Sequence, residues 1–109
     1  MAYNEQLAAR VRKALGKRSG LSEKKMFGGI AFLLRGNMCV GVHGNELIAR
    51  LDPATTDAAL AQANTRPFDM TGRPMKGWIL VQRNGLASDG ALGKWVAAAT
   101  AYADSLPKK

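Results

Sequence analysis

Three features of the sequence predict an α+β fold built on an antiparallel sheet. An apolar stripe with helical spacing opens the chain, strand-like segments punctuated by glycine turns follow, and a second apolar helical face closes it. Consecutive strands, rather than strict strand–helix alternation, favour antiparallel pairing with flanking helices. The predicted order is α-β(3)-α-β(2)-α, in one domain spanning residues 1–109.

The first helix rests on Tyr3, Leu7, Val11 and Leu15, which recur every four residues with Ala8 and Ala14 beside them. Gly16 suits its C-terminal cap, and a basic loop over 16–22 follows. The next stretch, EKKMFGGIAFLLRGNMCVGVHG, reads as a hairpin carrying five glycines. A two-residue turn at Gly36-Asn37 pairs Arg35 with Met38, Leu33 with Val40, Phe32 with Gly41 and Ala31 with Val42. A second turn at Gly44-Asn45 pairs Val42 with Leu47, Gly41 with Ile48 and Cys39 with Arg50.

Because strand side chains alternate, this register sorts the residues into two faces. One holds Ala31, Leu33, Met38, Val40, Val42, Leu47, Ala49 and Leu51 and is the expected core. The other mixes Ile30, Phe32, Leu34 and Ile48 with Cys39, His43, Glu46 and Arg50. Gly28-Gly29 then marks a bulge, close passage of the first strand beneath a helix, or a backbone approached by a ligand.

Asp52-Pro53 opens a short second helix, with Asp as cap and Pro at the first position, running over 54–63 to Asn64. Two extended pieces follow, around 67–70 and 77–82, separated by Gly72-Arg73-Pro74. Pro67 cannot donate to a ladder, which makes the first of them an edge or a short strand. Ser88 or Asp89 caps the last helix, whose face carries Leu92, Trp95, Val96, Ala99, Tyr102, Ala103 and Leu106 before Pro107.

Composition narrows the function. No apolar run approaches the ~20 residues needed to cross a bilayer. The start, Met1-Ala2-Tyr3-Asn4-Glu5, lacks an apolar signal core, and the single cysteine fits a reducing cytoplasm. The net charge is +8, and within residues 1–25 Arg10, Arg12, Lys13, Lys17, Arg18, Lys24 and Lys25 oppose only Glu5 and Glu23. Such a block suits contact with a polyanion, as it also suits a solvated helix face.

Residues able to carry reaction chemistry are few and scattered. His43 and Cys39 are single, and with Glu46 they do not complete a zinc set of about four ligands. Four residues apart on one strand, they lie ~13 Å from each other, which excludes a thiolate–imidazole pair. Gly93-Lys94 resembles the end of a phosphate loop, but Ser88 and Trp95 stand where glycine and Ser/Thr are required. Arg73 and Lys76 sit on a tight turn where an anion can settle.

Lys25-Met26-Phe27-Gly28-Gly29 and Gly72-Arg73-Pro74-Met75-Lys76-Gly77, with a capped final helix containing Trp95, resemble the amino-terminal domain of the TfoX/Sxy competence-regulator family. The resemblance covers essentially the whole chain. It implies a fold like that of secretion chaperones and a non-enzymatic role with no catalytic residues or cofactor. Full-length relatives help switch on DNA-uptake genes in bacteria, acting with the cyclic-AMP receptor protein at promoters. This chain ends at Lys109, without the helical carboxy-terminal domain of those regulators.

Three competing readings follow, the first with the other two as alternatives. Phe32, Leu34 and Ile48, ringed by His43, Glu46 and Arg50, form a face for a protein partner or self-association. Arg10, Arg12, Lys13, Lys17, Arg18, Lys24 and Lys25 contact nucleic acid, with Arg73 and Lys76 as further anion contacts. Gly28-Gly29 and the Arg73/Lys76 turn together form a small-ligand pocket.

Overall fold

A computed structural model describes residues 3–26, 28–68 and 76–107. Among them, helix α1 (Glu5–Leu15) precedes strands β1 (Leu21–Met26), β2 (Gly29–Leu34), β3 (Asn37–His43) and β4 (Glu46–Arg50). A 3₁₀ turn (Pro53–Thr55) leads into α2 (Thr56–Leu60), then β5 (Thr65–Pro67), β6 (Trp78–Val81), a second 3₁₀ turn (Arg83–Leu86) and α3 (Asp89–Ser105). The strands form one antiparallel sheet in the order β1-β2-β3-β4-β6-β5. The predicted α+β class with an antiparallel sheet and three helices is the observed one.

The helices begin and end for local reasons. The Asn4 side chain accepts from the Gln6 and Leu7 N–H groups, which satisfies two of the free donors at the start of α1. The Asn4 N–H in turn donates to the Gly44 carbonyl at 2.8 Å, pinning the helix start to the β3–β4 turn. Leu7, Ala8, Val11 and Leu15 are buried, whereas Ala14, placed beside that stripe by spacing, faces solvent. Asp52 caps the first 3₁₀ turn by accepting from the Ala54 N–H, and α2 is shorter than the expected 54–63. Ser88, rather than Asp89, caps α3.

The first of the three expected strands is two. Met26 pairs with Gly29, and β1 runs antiparallel along β2. Phe27 lies outside the described residues; Gly28 has φ +72°, a conformation side chains oppose. β1 carries Ser22, Glu23, Lys24 and Lys25, all exposed, on the sheet's outer edge, where lysines discourage further pairing.

The β2–β3 register also differs from the expected one. The turn is Arg35-Gly36, both with positive φ (52° and 83°), so Leu34 faces Asn37 and Leu33 faces Met38. The ladder then shifts at Phe32/Leu33: Phe32 faces Val40 and Ala31 faces Gly41, leaving Cys39 as the extra residue of a bulge. The expected Phe32–Gly41 pair does not form. The β3–β4 pairs Val42–Leu47 and Gly41–Ile48 do, and that ladder ends at Val40–Ala49, short of the expected Cys39–Arg50 pair.

A one-residue change of register exchanges the faces of a strand. Ile30, Phe32 and Leu34 therefore join Val40, Val42, Leu47, Ala49 and Leu51 in the main core beneath the helices. Ala31, Met38, Ile48, Leu80 and Phe68 form a second buried cluster on the opposite face, with Leu33 and Trp78 packed at its margin. The Phe68 and Trp78 rings stack there with centroids 5.7 Å apart. Both faces of the sheet are thus apolar at their centres.

Candidate interaction surface

The residues expected to form one sheet face are dispersed. Phe32 and Leu34 are buried in the main core, and Ile48 is buried on the other face, so none of the three offers a docking surface. His43 and Arg50 are half-buried. The Arg50 guanidinium stands 5.2 Å from the Trp78 ring centre and 5.7 Å from that of Tyr102, bridging the end of β4 to α3. Glu46 is held by Arg66 through two hydrogen bonds of 2.6 and 3.0 Å.

The basic first quarter divides into paired and unpaired charges. Arg10 binds Asp89 at 3.2 Å and the Leu86 carbonyl at 2.8 Å. Arg12 grips both carboxylate oxygens of Glu23, at 2.8 and 3.0 Å, and this pairing raises its pKa above the ordinary value. Lys13, Lys17, Arg18, Lys24 and Lys25 have no carboxylate partner among the described residues. Arg18 donates instead to the Leu15 carbonyl at the end of α1. Lys24 pairs with Ala31 and Lys25 with Ile30, so these neighbours project from opposite faces of the edge strand. Lys76 is exposed in the turn before β6, and Arg73 lies outside the described residues.

The motif glycines are occupied by packing. A Cβ on Gly29 would lie directly against the Val42 carbonyl oxygen, with Val42 C at 3.1 Å and His43 Cα at 3.3 Å. The close passage is therefore against strand β3, not a helix. Gly77 donates its N–H to the Thr56 hydroxyl at 2.8 Å and accepts from the Leu51 N–H at 2.6 Å, joining α2 to the start of β6. Gly72, Pro74 and Met75 lie outside the described residues, as does the side chain of Met26.

A surface that the sequence reading missed lies between α2 and α3. Here a cleft of about 460 Å³ is lined chiefly by Leu51, Ala58, Trp95, Ala98, Ala101 and Tyr102. Its α3 wall continues onto the outer side of that helix, where Ala97, Ala98 and Ala101 are exposed with no charge between Lys94 and Asp104. A helix apolar on both sides ordinarily has a neighbour on both. The sequence signal was present in KWVAAATAYAD, where alanines occupy the positions at which a solvated helix carries charge.

No group of three or more metal-ligating side chains occurs among the described residues. The buried Cys39 thiol is pushed up to about 12 by desolvation, which removes the thiolate a nucleophile needs. No described helix is long and apolar enough to cross a membrane.

The family model for the TfoX N-terminal domain matches residues 5–103, from the first residue of α1 into the last turns of α3. No curated protein and no solved structure matches the chain. The match takes in every strand and helix around the cleft, together with both glycine motifs that resembled the family, and the chain belongs to the TfoX N-terminal domain family.

Proposed function

We propose that this chain is a non-enzymatic, cytoplasmic regulatory module that binds a protein partner through the α2/α3 cleft and the outer side of α3. The observation that carries the reading is the uncharged, solvent-facing surface of Ala97, Ala98 and Ala101 beside an apolar cleft. Contiguous apolar surface with a polar rim marks interaction sites. Family membership supports a part in transcriptional control, with the switching-on of DNA-uptake genes as the specific role. Affinity capture with the parent chain and with Ala98→Glu tests this. The folded variant is expected to lose the partner, and unchanged capture refutes the reading.

A second reading, nucleic-acid binding, draws on the five bases without carboxylate partners. Five phosphate contacts give a slope of log affinity against log salt of about −4 to −5 on duplex DNA. Undetectable binding at low salt ends it.

A further inference from the structure

The outer side of α3 has a symmetry in its charges. Lys94, Ala97, Ala101 and Asp104 are exposed and spaced by three, four and three residues, so they fall along one line of the helix. Read backwards, that line presents an acid, two alanines and a base. A second α3 turned antiparallel about residue 99 sets each Lys94 opposite an Asp104 and each Ala97 opposite an Ala101. A parallel pairing sets like charge against like. Side chains as small as alanine allow helix axes to approach to about 8 Å, near the lower limit for packed helices.

The charged groups are available for such a pairing. Lys94 has no carboxylate partner among the described residues. Asp104 accepts from Arg35 through Oδ1 at 2.9 Å, and its side chain remains 49% exposed. That leaves Oδ2 for a second donor.

We infer that the occupant of this surface is a second copy of the chain, the two α3 helices lying antiparallel across a twofold axis at residue 99. This rests on the docking reading above and names its partner. A twofold contact is self-complementary by construction, and a surface whose charges reverse under that rotation meets the requirement. Pairing covers Lys94 and Ala101, which also line the cleft, at the same time.

One helix per subunit makes a small, weak contact, so light scattering is run from ~10 μM to ~1 mM chain. The mass is expected to rise from 11.6 kDa toward twice that value. Lys94→Glu, which breaks no ion pair among the described residues, is expected to weaken association at least tenfold, and Asp104→Lys likewise. An equimolar mixture of the two is expected to restore it, because each reversed charge then meets its opposite. Ala97→Glu, which adds a carboxylate beside the axis, serves if Asp104→Lys fails to fold by circular dichroism. A parent chain monomeric at every concentration, or a mixture no more associated than either variant alone, overturns the inference. A monomeric parent that still loses a different protein partner with Ala98→Glu overturns only the self-pairing. Loss of neither mass nor partner overturns the docking surface as well.

Discussion

Replacing Gly29 with alanine tests how tightly β2 is applied to β3. The added methyl would meet the Val42 carbonyl oxygen, with Val42 C at 3.1 Å and His43 Cα at 3.3 Å. These are backbone atoms, so no side chain can rotate aside, and the strands must separate next to the Ile30–Val42 pair. Overpacking of this kind costs about 1–3 kcal/mol. A weakened ladder hydrogen bond adds about 1 kcal/mol, and the stiffer unfolded chain returns about 0.4–1 kcal/mol. The net loss is about 2 kcal/mol, which lowers Tm by roughly 10 °C in a domain of this size. Thermal unfolding followed by circular dichroism measures it. Asparagine separates sterics from backbone preference: Gly28→Asn, at φ +72°, is expected to melt near the parent, because Asn tolerates the left-handed region. Gly29→Asn is expected to be as damaging as alanine. A Gly29→Ala protein melting within about 2 °C of the parent, or a Gly29→Asn protein that recovers, refutes the close-approach argument.

Other changes probe separate parts of the fold. Thr56→Val leaves the buried Gly77 N–H without its acceptor and is expected to cost about 1–3 kcal/mol, read as a lower urea midpoint. Gly93→Ala meets nothing within 4 Å on α3 and is expected to stabilise by about 0.5–1 kcal/mol in the same titration. The Cys39 thiol is expected to resist a thiol reagent at neutral pH until denaturant is added. Its pKa rises from 9.0 to about 12 on folding, so above pH 9 the unfolded chain loses a proton that the folded chain keeps. Stability therefore declines from pH 9 toward pH 12, and Cys39→Ala is expected to flatten that decline.

What the sequence revealed follows the range of the forces involved. Caps and apolar stripes are local, so α1 and α3 were legible from Leu7, Val11, Ser88, Leu92 and Val96. The Gly44-Asn45 turn likewise set the β3–β4 pairs. β1 was missed because an edge strand of Ser22, Glu23, Lys24 and Lys25 shows no apolar alternation. The faces of β2 were exchanged because two distant effects act on one hairpin. Asn37 is buried and donates to the Pro107 carbonyl at 2.8 Å, while Arg35 reaches Asp104, and together they favour the Arg35-Gly36 turn. The bulge at Cys39 then moves the remaining pairs by one. The expected interaction face fell with that register. The α2/α3 cleft joins segments more than thirty residues apart, and only the fold brings them together.

The Asn37–Pro107 tie also bears on how the chain is made. A hydrogen bond spanning 70 positions helps select the hairpin's turn, yet its acceptor is translated long after both strands have left the ribosome. Until then the nascent hairpin is free to sample the slipped alignment, with Phe32 turned outward where a chaperone can grasp it. Emergence of Pro107 is what allows the tie that favours the native pairing.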